Sequence, residues 1–402
     1  MSITRDITFS AQKYLATDEI LLFIGARQAG KTTILKQLEK HLKEQSETVY
    51  FLNLEDPDYL TLLNASPKNL FKIFPIDLSK RIFLFIDEVQ YLSNPSNFLK
   101  YFYDEYRGKI KILASGSSAF YLDDKFKDSL AGRKMIFNVF TLSFREFLRF
   151  KDKNELSQKD FNQLTLSEKE KINLYYREFI IYGGYPRVVL VPFEEKKEIL
   201  RDIAYSYIKK DIFEAKVRQE EVFYKLFKIL AAQIGNLVNA SELANTLDVS
   251  KTSIDYYLYI MQKSFHLILL KPFFKNIRKE LTKMPKIYFL DLGLRNFFVN
   301  NFQSFELREE KGALLENAVF RQLLDTYEAD EIRYWRTIQK NEIDFVLDEE
   351  RAIETKIQIE QFREKNFKVF LESYKNIKLF IATLDAKRDK VGPYEVLEVW
   401  GI

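Results

Sequence analysis

The pattern of apolar and polar positions divides the chain into α/β segments at its two ends and a helical middle. Between residues 20 and 140, short apolar runs alternate with amphipathic stretches, which predicts a parallel sheet flanked by helices. Residues 141–215 are rich in Lys and Glu and predict helices, one with a capping box formed by Ser167 and Glu170. The predicted strands of the first segment are 20–24, 48–53, 82–87, 110–115 and 134–140.

The second half of the chain has two further segments. Residues 222–292 predict three helices followed by strands at 266–272 and 286–290. The charge-dense run 307–312 is the best boundary before a last α/β segment, which opens with a helix near Gly312. This last segment predicts strands at 331–336, 342–347, 352–357 and 377–383, with a helix near 360–374.

The amino-acid composition limits the classes of protein to which this chain can belong. Of 402 residues, 47% are hydrophobic and 30% charged, as in a folded chain of two to four domains. The net charge of +4 means that binding to nucleic acid would need a local basic surface. The lack of cysteine excludes disulfides and thiolate zinc sites. The N-terminus does not resemble a signal peptide and the apolar runs are too short to span a bilayer, so we expect a cytoplasmic protein without a membrane partner.

A phosphate-binding loop follows the first predicted strand. Residues 25–32 read GARQAGKT and match G-x-x-x-x-G-K-[ST] in full. Lys31 is predicted to reach the β- and γ-phosphates of ATP, and the Thr32 hydroxyl to bind Mg²⁺. The predicted nucleotide-binding residues of the loop are Gly25, Ala26, Arg27, Gln28, Ala29, Gly30, Lys31, Thr32 and Thr33.

Polar residues end the next two buried strands. Strand 82–87 ends in Asp87 and Glu88, which predicts Asp87 as a water-mediated Mg²⁺ ligand and Glu88 as the group that polarises the attacking water. Strand 110–115 ends in Ser115, a candidate contact to the γ-phosphate, with Ser117 as the alternative. A simple polar turn explains these serines nearly as well.

The resemblance to a known family rests on motifs along most of the chain. These are GARQAGKTT, IFLFIDEVQ, ASGSS, LAGR and LSFREFL, followed by GGYPRVV, AAQIGNLVN, KIYFLDLGLRN, LLENAVF, WRTIQKNEIDFVL and AIETK. The chain resembles prokaryotic AAA+-type ATPases whose C-terminal domain, of unknown function, is related to PD-(D/E)xK restriction-endonuclease-like nucleases. The resemblance implies a homo-oligomer such as a hexameric ring, and four domains. These are an AAA+ P-loop core at 1–145, a helical lid at 146–215, a winged helix at 216–305 and a nuclease-like α/β domain at 306–402.

The resemblance also suggests roles for residues outside the loop. Arg133, in LAGR, is a candidate arginine finger or interface arginine, and a surface arginine is the alternative. The GGYPR segment resembles the Gly-x-Pro lid motif of signalling-type members. It places Pro186 near the nucleotide and makes Arg187 a candidate phosphate sensor. A plain helix break at 183–186 is the alternative.

Residues 239–262 have the spacing of a helix-turn-helix, with Asn239 and Ser250 as the two helix caps. With the strands at 266–272 and 286–290 this predicts a winged helix and duplex or branched DNA as partner. A packing role is the alternative, since Asp255 opposes phosphate. The residues predicted to face DNA are Lys251, Thr252, Ser253, Asp255 and Tyr256, supported by Lys271, Lys275, Arg278, Lys279, Lys283 and Lys286.

The last segment contains a D-x9-E-x-K pattern formed by Asp344, Glu354 and Lys356. Matching the apolar faces of the two strands predicts a register with Asp344 opposite or close to Lys356, and all three side chains on one face. Asp344 and Glu354 would hold Mg²⁺, Lys356 would orient a water, and Glu316 would add a further acid. A polar sheet face with a cross-strand Asp–Lys pair is the alternative.

The sequence thus predicts a Mg²⁺-dependent ATPase that couples hydrolysis to remodelling, and with the last pattern to cleavage, of DNA. The alternatives are a signalling-type nucleotide switch, or a DNA-binding regulator, whose nuclease-like domain binds without cutting.

Overall fold

The computed structural model describes residues 3–116, 130–274, 283–384, 386 and 389–402. Contacts divide the chain into two compact units. The first consists of Met1–Thr141, Lys209–Lys216 and Tyr259–Phe265. The second consists of Leu142–Ile208, Val217–Leu258 and His266–Ile402. Across the described ranges, no helix has the length and apolar character needed to cross a bilayer.

The first unit contains, within its described residues, a parallel five-stranded sheet. The strand order is β2-β3-β4-β1-β5, so β4 lies between β3 and β1. All five predicted strands are confirmed, with ends that differ by one residue at most. The strands are β1 Ile20–Gly25, β2 Thr48–Asn53, β3 Ile82–Asp87, β4 Ile110–Gly116 and β5 Lys134–Val139.

Helices flank this sheet, as the alternation of patterns predicts. They are α1 Asp6–Gln12, α2 Lys31–Glu44, α3 Pro57–Ala65, α4 Leu70–Ile73 and α5 Pro95–Tyr106. Strands β1, β3 and β4 are buried at every position, which explains why apolar residues predominate in them. Because parallel strands end at the same edge, the segments that follow these three adjacent strands lie side by side.

The second unit begins with helices. They are α6 Phe144–Phe150, α7 Asn154–Gln158, α8 Leu166–Tyr182, α9 Pro186–Leu190, α10 Lys196–Glu214, α11 Glu220–Ala232, α12 Ala240–Leu247, α13 Lys251–Lys263, α14 Leu292–Phe298 and α15 Lys311–Leu323. The last turn of α10 and the end of α13 belong to the first unit. Strands β6 Leu267–Leu270 and β7 Lys286–Phe289 pair antiparallel.

One predicted helix start is wrong. The capping box at α8 is formed by Thr165 and Glu168, whose side chains and backbone N–H groups bond reciprocally. The predicted pair, Ser167 and Glu170, lies inside the helix. Thr165 and Glu168 have the same T/S-x-x-E spacing and come first along the chain, so they occupy the free N–H groups of the first turn.

The end of the second unit is a sheet of six strands, counted over its described residues, in the order β12-β13-β11-β10-β9-β8. The strands are β8 Ile332–Arg336, β9 Glu342–Leu347, β10 Arg351–Lys356, β11 Lys378–Thr383, β12 Lys390–Val391 and β13 Tyr394–Glu398. The helix predicted near 360–374 is wrong over its first half, where short 3₁₀ turns precede α16 Lys368–Ser373. Phe362 and Phe367 still pack into the core there, so the apolar spacing reflects burial without a helix.

Candidate functional site

The phosphate loop joins β1 to α2 at the carboxyl edge of the first sheet. Its backbone enters the left-handed region at Gln28, with φ of 56°, and at Gly30, with φ of 99°. A Cβ atom on Gly25 would lie 2.0 Å from the carbonyl oxygen of Val139 in β5, so only glycine fits there. The glycines of the motif thus give the loop its path, which leads into the N-terminus of α2.

Lys31 is the first residue of α2, and its side chain reaches back to the start of the phosphate loop. Its Nζ atom donates hydrogen bonds to the carbonyl oxygens of Gly25 at 3.0 Å and Ala26 at 2.8 Å. The side chain is buried, and burial lowers the pKa of Lys31 to about 8, while the nearby Glu88 carboxylate opposes that shift. A buried ammonium held against the backbone carbonyl oxygens of this loop is suited to bind phosphate oxygens.

The two acids at the end of β3 are linked through Ser115 at the end of the neighbouring β4. The Ser115 hydroxyl donates to Asp87 and accepts a hydrogen bond from the Glu88 N–H at 3.0 Å. Glu88 has a left-handed φ of 59°, and its carboxylate accepts from the side chain of Gln90. Ser115 is fully buried and engaged on both sides, so in this structure it positions the acids. Its alternative, Ser117, lies outside the described residues.

The sequence did not indicate two contacts behind the loop. Arg5 donates to the carbonyl oxygens of Ala29 at 2.7 Å and Phe140 at 3.1 Å, which ties the loop to the end of β5. Arg27 is paired with two acids from the last turn of α10, Asp211 and Glu214. These partners are 24 to 187 residues apart along the chain, and no local pattern marks them.

The D-x9-E-x-K residues lie on neighbouring strands of the second sheet. Strand β9 pairs antiparallel with β10, with Ile353 opposite Phe345. The predicted pairing of Asp344 with Lys356 is therefore offset by two residues from the observed register. Because side chains alternate with a period of two, an even offset leaves Asp344, Glu354 and Lys356 on one face. The Asp344 carboxylate accepts from the Thr355 N–H at 2.8 Å, and Lys356 forms an ion pair with Glu354.

Three carboxylates meet on this face around a buried lysine. Oxygen atoms of Glu316, Glu342 and Asp344 all lie within 4.8 Å of one another. The Nζ atom of Lys286, from β7, lies 2.9 Å from Glu316 and 4.0 Å from Asp344 and forms an ion pair with Glu342. Tyr288 also donates to Glu316 at 2.5 Å. The sequence placed Lys286 on a DNA-facing surface, which is wrong, because its side chain is 1% exposed.

Comparison with known families covers both units. A family model described as an AAA domain matches residues 17–148, which contain the phosphate loop, Asp87, Glu88 and Ser115. The chain contains an AAA+-type ATPase domain. Models of two domains of unknown function, DUF8612 and DUF4143, match residues 173–304 and 311–397.

Relatives of this chain match it over most of its length. An uncharacterized protein of Methanocaldococcus jannaschii is 28% identical over 389 residues, covering 94% of this chain and 82% of the relative. An uncharacterized protein of Haemophilus influenzae is 28% identical over 345 residues, covering 82% of this chain and 80% of the relative. Among solved structures, Aeropyrum pernix ORC2 has a TM-score of 0.41 at 12% identity, covering 73% of this chain and 90% of ORC2. A single-residue variant of Thermotoga maritima RuvB has a TM-score of 0.33 at 16% identity, covering 69% of this chain and 92% of RuvB.

Three residues outside the phosphate loop were also predicted to act near the nucleotide: Arg133, Pro186 and Arg187. Arg133 pairs with Asp104 at 2.8 Å in the AAA+ domain. Pro186 opens α9 in the second unit, and Arg187 pairs there with Asp202 at 2.6 Å, with both side chains half exposed. Each of the two arginines thus has an acidic partner in its own unit.

The glycines before Pro186 have a structural explanation. A Cβ atom on Gly183, whose φ is 75°, would lie 2.2 Å from the Asp291 carboxylate. The same carboxylate accepts a hydrogen bond from the Gly184 N–H at 2.8 Å. This contact favours the helix-break interpretation of GGYP.

Mg²⁺ fits one of its two predicted sites. In the AAA+ domain, the Thr32 hydroxyl and the Asp87 carboxylate are hard oxygen ligands beside the phosphate loop, which suits Mg²⁺ bound together with a nucleotide. At the acidic cluster, the Lys286 ammonium already pairs with Glu316, Glu342 and Asp344. A divalent ion would have to displace that buried charge, so the cluster as arranged does not fit Mg²⁺.

Burial governs the titration of the acidic face. It raises the pKa of Asp344 well above its usual range, and repulsion from Glu316 and Glu354 adds to the shift. It raises the pKa of Glu354 to about 7, although Lys356 opposes the shift. Burial alone would lower the pKa of Lys286, but the surrounding carboxylates raise it overall, so the lysine stays charged.

We expect the second unit to lose stability as the pH rises. Glu354 has a pKa of about 7 in the folded chain against an ordinary value of 4.5, so its stabilising contribution is complete below pH 4.5 and is lost as the pH rises through 7. Both tryptophans, Trp335 and Trp400, lie in this unit, so tryptophan fluorescence during urea unfolding reports on it. Glu354→Gln should flatten the dependence between pH 4.5 and 7, and the exposed control Glu360→Gln should not. Equal slopes in wild type and Glu354→Gln would contradict the assignment.

Proposed function

We propose that this chain is a Mg²⁺-dependent ATPase that acts on DNA through its second unit. The observation that carries the proposal is the convergence of three adjacent strand ends. Ser115, at the end of β4, is hydrogen bonded to both acids at the end of β3, and Lys31 of the phosphate loop after β1 interacts electrostatically with the same two acids. Each element that nucleotide hydrolysis requires has a side chain there.

The roles follow from charge and position. Lys31 neutralises the β- and γ-phosphates, and Thr32 and Asp87 would hold Mg²⁺, which would screen phosphate charge. Glu88 orients and polarises the attacking water; its left-handed backbone is held by a hydrogen bond to Ser115, and its carboxylate by one from the Gln90 side chain. Ser115 is a positioning residue because it holds both acids.

The case for DNA rests on helices α12 and α13 and the strand pair β6–β7. Asn239 caps α12 through the N–H groups of Ser241 and Glu242, as the helix-turn-helix spacing predicts. Lys251 and Thr252, at the start of α13, are exposed. We propose that these elements form a winged helix that contacts duplex or branched DNA. Lys275, Arg278 and Lys279, predicted to support the contact, lie outside the described residues.

The test is the ATP hydrolysis rate measured with linear, single-stranded and branched DNA. We expect at least one DNA to raise the rate in a salt-dependent manner, because phosphate contacts release counterions. Lys31→Ala should lower the rate about 100-fold or more, since it removes the main phosphate-binding charge. Lys40→Ala, an exposed change on the same helix, should leave it unchanged. No ATP hydrolysis with any DNA would refute the proposal.

The proposal does not extend to DNA cleavage, because Lys286 occupies the acidic cluster. This observation favours a second candidate, a nucleotide-operated switch whose last domain binds a partner without cutting. ATP would then control assembly of a homo-oligomer such as a hexameric ring, with Arg133 at the interface. Slow turnover combined with an ATP-dependent increase in mass on size-exclusion light scattering would support the switch. A mass that does not change with ATP would exclude it.

A further inference from the structure

Two carboxylates lie beside a loop that is built to bind an anion. The Nε atom of Arg27, in the phosphate loop, lies 3.4 Å from the Asp211 carboxylate, and its Nη2 atom lies 2.5 Å from that of Glu214. All three side chains are largely buried, at 7%, 4% and 16% exposed. Asp211 and Glu214 are on the last turn of α10, which belongs to the first unit.

This arrangement is in electrostatic conflict with bound ATP. The Asp211 carboxylate is close enough to Lys31 to help raise that lysine's pKa against the effect of burial. The triphosphate would bring several negative charges to the same loop. Buried like charges at short range repel strongly, because little solvent screens them. The phosphates and the Asp211 carboxylate would therefore repel each other near Lys31.

The segment that carries the acids also reaches the other half of the ATP site. Lys210 donates to the Tyr91 hydroxyl at 2.7 Å, with its ammonium 5.4 Å from the centre of the ring. Tyr91 closes the short helix Val89–Tyr91, which starts directly after Glu88. Residues Lys209–Lys216 thus contact both the phosphate loop and the turn behind the predicted water-polarising acid.

We propose that ATP displaces the Asp211–Glu214 pair from Arg27 and so releases the segment Lys209–Lys216 from the AAA+ domain. The inference rests on the proposed ATP site. In the released state the guanidinium pairs with phosphate oxygen in place of carboxylate. The rest of α10, from Lys196, belongs to the second unit, so ATP would free one end of a helix shared by the two units. The segment acts as a nucleotide-sensitive latch.

The first test is ATP affinity, measured on the full chain by equilibrium dialysis with Mg²⁺ and ATP. Asp211→Asn and Glu214→Gln remove the competing charges, so each should bind ATP about 5-fold or more tightly than wild type. Glu198→Gln changes an exposed acid that pairs with Arg201 on the same helix, and should bind as wild type does. Unchanged affinity in both acid variants overturns the latch. Weaker binding also overturns it, because the acids would then hold the Mg²⁺ of bound ATP.

The second test follows the segment itself by hydrogen–deuterium exchange. ATP should speed exchange of the amides of Lys209–Lys216 in wild type. Arg27→Ala should already show fast exchange there without nucleotide, because two buried acids lose their partner. Slower or unchanged exchange on adding ATP to wild type overturns the latch. A wild-type chain that binds no ATP overturns both the latch and the proposed ATPase. A chain that binds ATP but shows unchanged affinity in the acid variants, or no faster exchange with ATP, overturns the latch alone.

Discussion

Glu88→Gln should keep ATP bound but lower the turnover rate about 100- to 10,000-fold, the range associated with loss of a positioned general base. The amide matches the carboxylate in size, and the backbone N–H still bonds to Ser115 at the left-handed φ of 59°. What is lost is the negative charge that polarises water. Asp87 and Ser115 remain in place, so Mg²⁺ and nucleotide binding should persist.

The measurement separates binding from chemistry. The rate at saturating ATP should fall, while the dissociation constant of ATP stays within a few-fold of wild type. Glu105→Gln, an exposed change on α5, serves as the matched control and should behave as wild type. A Glu88→Gln enzyme with normal turnover would show that another group polarises the water.

The first sheet could be predicted because its signals are local. Apolar runs mark β1 and β3, and β4 is mostly apolar apart from Lys111 and Ser115; all three strands are buried along their whole length. The glycines and Lys31 form one continuous motif, and the acids follow a strand directly. The order of the strands then places Ser115 beside Asp87, since β4 pairs with β3.

What could not be predicted depends on long-range contacts. Arg5 supports the loop from a helix start that has no motif, and Arg27 meets acids 184 and 187 residues away. The alternation of β9 and β10 fixes which face Asp344 and Glu354 share, but it allows any even shift of register, and the observed shift is two. Phe362 and Phe367 have helical spacing but are held by the sheet core.

Lys286 is the clearest example of a residue whose contacts could not be predicted from the local sequence. In the sequence it is one basic residue among several near a predicted wing. In the structure it is nearly inaccessible and pairs with acids from α15 and β9, which are distant along the chain. Its role follows from burial, which no local pattern of charge reveals.

Lys286→Met should therefore destabilise the second unit by about 3–5 kcal/mol, the range found when one partner of a buried ion pair is removed. Methionine keeps most of the length and apolar stem of lysine, so the change tests the charge. Glu316, Glu342 and Asp344 would be left within 4.8 Å of one another without their shared cation. Urea unfolding followed by the fluorescence of Trp335 and Trp400 measures the loss.

The effect of Mg²⁺ on stability, compared between Lys286→Met and wild type, tests whether the lysine takes the place of a metal ion. In Lys286→Met the ammonium no longer occupies the space between the three carboxylates, although Glu342 still pairs with Arg336 at 2.9 Å. Adding Mg²⁺ should therefore restore part of the lost stability, because binding to the folded state alone stabilises it. The wild-type second unit should gain nothing, since its ammonium already fills the cluster. Lys283→Met, an exposed change just before β7, should match wild type throughout. If Mg²⁺ stabilised wild type as much as Lys286→Met, the cluster would be a metal site despite its lysine, and cleavage would return as a function to test.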